Sequence, residues 1–432
     1  MIETKPSRER ASWSRPPLLR ALLIACCFLA LRQDGFAQDD LKSRADVRKA
    51  LDFIEANQDA QIAKQIEIAQ IPAPGFEEAK RAAFIEGEFR QLGLQNVAID
   101  EIGNVLGLLP GRSERMLAIA AHLDTVFPAG TDVAVKKQGI RLVGPGLVDD
   151  CRGLSALLAL AAALRHAGIK TNQTLLFIAD VGEEGLGNLR GIHYLFEQSQ
   201  YRERIDSFIS IDGADTAVLT SREIGSRRYR LTVKGPGGHS YLDFGRVNPA
   251  HALSRILARF AEIEVPKRPK TTYNVGRIGG GTSVNSIPFE AWAEIDMRSE
   301  EEGALDKVEA QMLGFARAGV EEENRLRGAS GTKLEIDARL LAVRRATRTP
   351  DDAALVRAAL WAARAMGLTP ELKAGSTDAN VPENRGVQAL TIGGGGKGGS
   401  YHSLEEWFEP EGAYKGIQQI LLMTLAFDQR KG

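Results

Sequence analysis

Three apolar runs constrain this chain more than anything else in it: residues 116–120 (MLAIA), 174–179 (TLLFIA) and 208–211 (FISI). Each is too short for a helix, and each leads into His or acidic residues: His122-Leu123-Asp124, then Asp180 to Glu184, then Asp212. Short runs that are apolar at nearly every position predict strands buried on both faces, the pattern of parallel sheets. Apolar residues at helical spacing supply the cover. They recur in 41–71 (Leu51, Ile54, Ile62, Ile66), in 77–92 and in the Ala/Leu-rich stretch 153–164. Strands alternating with helices predict an α/β fold with a mixed, largely parallel sheet flanked by helices, and ligands collect beyond the carboxyl ends of such strands. The polar residues stand where a site forms.

Near Glu223 the texture changes. Residues 228–234 (RYRLTVK) alternate as a half-exposed strand does, 248–263 reads as a helix, and 273–278 and 291–297 read as strands. A charged helix over 303–327 and a strand over 333–343 complete a strand–helix–strand–strand–helix–strand order, the ferredoxin-like arrangement. After Pro350 the α/β texture returns, with a helix at 353–366, a strand at 388–392 and a closing helix at 412–427. A chain of 432 residues exceeds what one core holds, and the second domain is expected as an insertion in the first. The expected division is 38–224 and 344–432 for one domain and 225–343 for the other.

Residues 1–37 carry a basic start, the apolar run 21–31 and a small-residue site ending at Ala37, the pattern of a cleaved secretory signal peptide. The expectation is a secreted or periplasmic protein. Lipoprotein processing at Cys26 is a minor alternative, disfavoured by the apolar residues that continue past it. The apolar run is far short of the roughly 20 residues that span a bilayer, so no stable membrane insertion of the mature chain is expected. Cleavage leaves Cys151 as the sole thiol. A net charge of -1 gives no electrostatic reason to expect a nucleic-acid partner.

Three of the six histidines stand out: His122 in AHLDTV, His239 in GPGGHSY and His402 in GGSYHS. They are accompanied by Asp149-Asp150 in GPGLVDD, Glu183-Glu184 in GEEG, and Asp212 in IDG. A two-metal site needs one bridging carboxylate and about two terminal ligands for each ion. His122, Asp149, Glu184, Asp212 and His402 fill that set. Glu183 is then left over as a base, and Asp124 can orient His122. Rival motifs fail: in 393–400 (GGGGKGGS) Lys397 is followed by Gly398 rather than Ser or Thr, and no G-x-S-x-G elbow occurs. A thiol nucleophile at Cys151 is disfavoured by the adjacent Asp149 and Asp150.

In order and type these motifs resemble the glutamate carboxypeptidase, peptidase T and aminoacylase family of co-catalytic zinc metallopeptidases, over roughly residues 45–430. The resemblance implies His122 and Asp212 on one metal, Glu184 and His402 on the other, and Asp149 bridging. It implies Glu183 as general base, Asp124 as the carboxylate supporting His122, and two divalent ions per subunit, zinc with cobalt or manganese as alternatives. Residues 225–343 become a lid through which a homodimer forms, with His239 reaching the partner's site. Asn285, Arg298 and Asp378 become substrate-binding candidates. The expected activity is hydrolysis of small di- and tripeptides by an exopeptidase, with an N-acyl-amino-acid deacylase as the alternative and a non-catalytic binding protein as the remote one. Cys151-Arg152 departs from the Lys that many relatives carry after the Asp pair. Arg344, Arg345 and Arg348 are each possible partners of a substrate carboxylate, and a solvated basic strand end is the favoured reading of all three.

Overall fold

In the computed structural model, which describes residues 41–328 and 331–429, the three apolar runs are strands of one sheet. The signal-peptide segment lies outside the described residues. Leu117, Ile119 and Ala121 join one buried cluster, while Met116, Ala118 and Ala120 join another. Leu175, Phe177 and Ala179 against Leu176 and Ile178 repeat the division one strand over. Side chains alternate in direction along a strand, so a run apolar at every position needs cover on both faces. The helices Ala45–Ala56, Gln58–Ala69, Ala79–Gln91, Cys151–Ala167 and Tyr414–Asp428 cover one face, and Arg190–Glu197 the other. Each Leu, Ile or Phe buried this way contributes on the order of 1.5–3 kcal/mol.

The sheet has nine strands, and its centre is parallel. Thr174–Asp180, Met116–His122, Ile205–Ile211 and Gln388–Ile392 lie side by side in one direction. Antiparallel pairings add Val105–Leu109 and Gln95–Ile99 on one flank and Val218–Glu223 and Thr347–Arg348 on the other. The carboxyl ends of the four central strands therefore share one edge, which brings His122, Asp180 and Asp212 together. Of the flanking strands, Val105–Leu109 is an apolar run interrupted by Gly107, and Gln95–Ile99 is mostly exposed. The helical pattern of 41–71 is two helices, broken at Asn57, whose side chain donates to the Phe53 carbonyl at 2.8 Å.

A second sheet of four strands has its own core. Its order is Thr271–Gly280, Glu290–Ser299, Gly225–Lys234, Glu335–Arg344, every pair antiparallel. With the helices Pro249–Phe260 and Glu302–Arg327, the chain order is the expected strand–helix–strand–strand–helix–strand. Asn248 caps the first of these helices, accepting from the Ala250 N–H at 2.9 Å, with Pro249 at the first turn where its missing N–H costs nothing. Leu231, Val233, Ala293, Ile295 and Met297 point to the helices and pack on Ile256, Phe260 and Met312. The opposite face of this sheet carries the polar members of each alternation, among them Arg228 and Arg298. Among the described residues no helix is long and apolar enough to cross a membrane.

Candidate metal centre

The two members of the Asp149-Asp150 pair take different roles. Asp150 is fully buried and caps the helix Cys151–Ala167, accepting from Gly153 N–H at 3.0 Å. It also accepts from the backbone N–H of His122 at 3.2 Å and of Gly213 at 3.3 Å, which ties the helix start to two strand ends. Asp149 is free to face a small cavity of about 120 Å³. Asp149, Glu183, Glu184, Asp212 and His402 line one part of it, and Arg228, Arg298, Arg344 and Ser376 line another.

Asp149 contacts a histidine through each oxygen. Its Oδ1 lies 3.0 Å from His122 Nε2 and its Oδ2 lies 3.1 Å from His402 Nε2. Glu184 Oε1 is 3.0 Å from the same His402 nitrogen. His122 Nδ1 lies 3.0 Å from the Asp124 carbonyl oxygen, an atom that can only accept, so Nδ1 carries the proton and Nε2 is left to Asp149. Ligand atoms of His122, Asp149 and Asp212 fall within 4.8 Å of one another, and so do those of Asp149, Glu184 and His402. Those two groups share Asp149 alone, which is the shape a bridging carboxylate requires. A third such group joins His122 to Glu183 and Glu184. The donor set, imidazole and carboxylate, suits divalent ions of the zinc type.

The electrostatics agree with a cation site. Burial, together with the charges of Asp149, Glu183 and Glu184, pushes the Asp212 carboxyl well above the usual range. Hydrogen bonds to Asp149 and Glu184 raise His402 to about 10, against some opposition from burial. Burial would raise Asp149 as well, but the two histidines outweigh it and hold the carboxyl below its ordinary value. Carboxylates in excess of cations take up protons where metal charge is otherwise supplied.

Asp124 does more than support His122. Its carboxylate is 3.6 Å from His122 Nδ1, and it accepts from the backbone N–H groups of Glu183 and Glu184, each at 3.0 Å. Glu406, which drew no notice in the sequence, is buried and accepts from Val148 N–H at 2.6 Å and Asp149 N–H at 3.0 Å. It fixes the backbone from which Asp149 projects. Its proximity to His402 in SYHSLEE was the available signal.

Arg298 lines the cavity, as its substrate-binding candidacy requires, and donates to Asp296 at 2.7 Å. Asn285 and His239 do not line it; they lie together at a separate two-stranded pairing of Gly238–His239 with Ser286–Ile287, where Ser240 N–H donates to the Asn285 carbonyl. Asp378 does not line it either. That carboxyl is 1% exposed and is pushed well above its usual range by burial and by Asp180 and Glu183, while its neighbour Ser376 reaches the cavity. The solvated reading of Arg344 is overturned: the side chain is 4% exposed and pairs with Glu183 Oε1 at 2.9 Å. Arg348 is exposed on its short strand.

Cys151 is fully buried and its thiol is pushed up to about 11, which removes it as a nucleophile. Arg152, the residue at the departure from the family pattern, is also fully buried. It donates to the carbonyls of Gly394 at 2.6 Å and Ala413 at 2.9 Å, so it holds the glycine run in place. Gly395 has φ +101°, and a Cβ there would meet the Ala413 carbonyl at 2.1 Å, so close packing accounts for a glycine at this position.

Fold and ligand cluster together define a metal-dependent hydrolase. The chain belongs to the peptidase family M20/M25/M40, whose model matches residues 118–425 and so takes in every candidate ligand from His122 to His402. It is similar to YqjE, an uncharacterized protein of Bacillus subtilis (strain 168), at 25% identity over 347 residues, covering 76% of this chain and 88% of that one. It is also similar to carboxypeptidase G2 of Pseudomonas, at 24% identity over 223 residues, covering 50% of this chain and 53% of that one. Among solved structures, the aminopeptidase PepT of Bacillus cereus matches with a TM-score of 0.68 at 20% identity, covering 87% of this chain and 99% of that one. Human carnosine dipeptidase 1 matches at 0.70 and 16% identity, covering 90% and 100%. At these identities the structural likeness shows the fold.

Proposed function

We propose that the chain is an exported two-metal exopeptidase that hydrolyses the amide bond of di- and tripeptides. The observation that carries this reading is Asp149, set between His122 and His402 with one oxygen toward each, beside Glu183, whose carboxylate pairs with Arg344. His122 and Asp212 would hold one divalent ion, Glu184 and His402 the other, and Asp149 both. Zinc fits the donors best, with cobalt and manganese as alternatives. Bound there, the ions would polarise the scissile carbonyl and lower the pKa of the attacking water.

The chain's own residues do the rest. Glu183, 6% exposed, accepts the proton of the attacking water and passes it to the leaving amine. The Asp124 carboxylate fixes the backbone beneath it. Arg298 keeps its outer guanidinium nitrogens for a substrate carboxylate. A homodimer through the lid places His239 of one protomer against its partner's cavity, where it donates to the developing oxyanion. Around His239 the surface is apolar and exposed at Tyr241, Leu242, Phe244 and Val284, which supports a second copy as its cover. Export rests on the pattern in residues 1–37.

Metal analysis combined with a panel of di- and tripeptides and their N-acylated counterparts tests the reading. Two ions per chain with cleavage of free-amine peptides is expected. Cleavage confined to N-acylated amino acids would make the chain a deacylase, and fewer than one ion with no hydrolysis would end the proposal.

A further inference from the structure

Arg344 is the last residue of the strand Glu335–Arg344, the final strand of the inserted sheet, yet its guanidinium lies among the ligand-bearing loops of the other unit. Nη1 donates to Glu183 Oε1 at 2.9 Å and to Ser376 Oγ at 2.9 Å, and Nη2 donates to the Glu183 carbonyl oxygen. The side chains are 4% and 8% exposed. One planar group thus grips both the side chain and the backbone of one residue, and Ser376 holds that group from a third segment. A guanidinium presents its donors in a rigid fork, so two bonds to a single residue fix its rotamer as well as its place.

We infer that Arg344 is the positioning residue of the general base, setting the Glu183 carboxylate from the inserted unit. This rests on Glu183 being the base. Arg344 engages one carboxylate oxygen and leaves the other for the water. Because Arg344 sits where the chain leaves the inserted unit, any shift of that unit moves the base. Peptide hydrolysis depends steeply on such placement: a displacement of about 1 Å costs on the order of 10²-fold in rate.

The test is a double-mutant cycle on the metal-loaded protein, with Arg344→Met, Glu183→Gln and the double variant assayed on one dipeptide, and with kcat, KM and metal content read for each. If Arg344 acts through Glu183, Arg344→Met lowers kcat by about 10² in the parent with KM nearly constant. The same change in the Glu183→Gln background alters the residual kcat less than about threefold, since placing a dead base has no effect. An equal factor in both backgrounds overturns the proposal and makes Arg344 scaffolding. A raised KM with kcat retained overturns it too, and makes Arg344 a substrate holder. Retention of parental kcat by Glu183→Gln itself removes the base, a failure of the underlying reading that the cycle reports separately. Should Arg344→Met not fold, Arg344→Lys and Ser376→Ala enter the same cycle. Lysine offers a point charge in place of the fork, and a loss of about tenfold is expected. Should neither lower kcat more than about twofold, the proposal falls.

Discussion

Asp149→Ala should strip both metals from the centre, where His402→Ala strips one. Asp149 alone is common to the two ligand groups, its oxygens 3.0 Å from His122 Nε2 and 3.1 Å from His402 Nε2. Two dications at the spacing of roughly 3.5–4 Å usual for such centres repel by on the order of 15–20 kcal/mol at an effective dielectric of about 20. A carboxylate between them screens that repulsion while bonding to both. Its removal takes a ligand from each ion and leaves the repulsion unopposed. His402 is neutral when it binds a metal and its side chain is 54% exposed. Its loss leaves Asp149 and Glu184 for one ion and all three ligands of the other, and should weaken one site by at least the 10–100-fold that even a supporting residue is worth. After dialysis against metal-free buffer, elemental analysis should give about two ions per chain for the parent, one for His402→Ala and close to none for Asp149→Ala. Equal losses from the two variants, or two ions retained by Asp149→Ala, would refute the bridging assignment.

Glu183→Gln should lower turnover by at least 10² with metal content near that of the parent; a tenth of parental activity retained would show that the base lies elsewhere. Burial pushes the Glu383 carboxyl up to about 8 from an ordinary 4.5, so its protonated form favours folding and its contribution is lost as pH rises from about 4.5 through 8. The melting temperature of Glu383→Gln should therefore stay close to the parent's near pH 4.5 and exceed it progressively toward pH 9, and a difference that stays flat with pH would discard this account. Mixed chains of Glu183→Gln and His239→Ala should regain up to about a quarter of parental activity, because random pairing makes half the dimers mixed and each mixed dimer has one complete site. No recovery, with subunit exchange demonstrated, would place His239 outside the partner's site.

Part of the candidate site was legible in the sequence because the central strands are largely apolar and stop abruptly at polar residues. His122 and Asp212 follow from that pattern before any geometry is known. Arg228 and Arg344 were not legible, for a physical reason. Alternation in 228–234 marks one face of a strand as polar, and such a face is normally wet. Here the polar face is turned toward the other unit, so Arg228 lies against the site and donates to Asp296 at 3.0 Å and to the Gly185 carbonyl. Arg344 sits in the basic cluster 344–348, which is indistinguishable from a solvated strand end until the chain brings it to Glu183 across 161 positions. Asp378 differs in the opposite sense: the family resemblance implies a substrate-side residue, and the fold buries its carboxyl.

Two adjacent acidic pairs show how partners assign roles that residue type leaves open. Asp150 has backbone N–H groups from three segments on its carboxylate, so its lone pairs are committed to holding the fold. Asp149 has no such donor on its side chain and faces two histidines. In the second pair the backbone N–H groups go to Asp124, which leaves both carboxylates free to diverge. Glu184 meets His402 at 3.0 Å, as its proposed place among the ligands requires. Glu183 meets a guanidinium instead, at one oxygen. A carboxylate shared with a metal has its basicity drawn off by the ion, whereas one steadied by Arg344 keeps an oxygen with which to accept a proton. That difference in partner, rather than any difference between two neighbouring glutamates, is what supports the proposed roles of Glu183 as base and Glu184 as ligand.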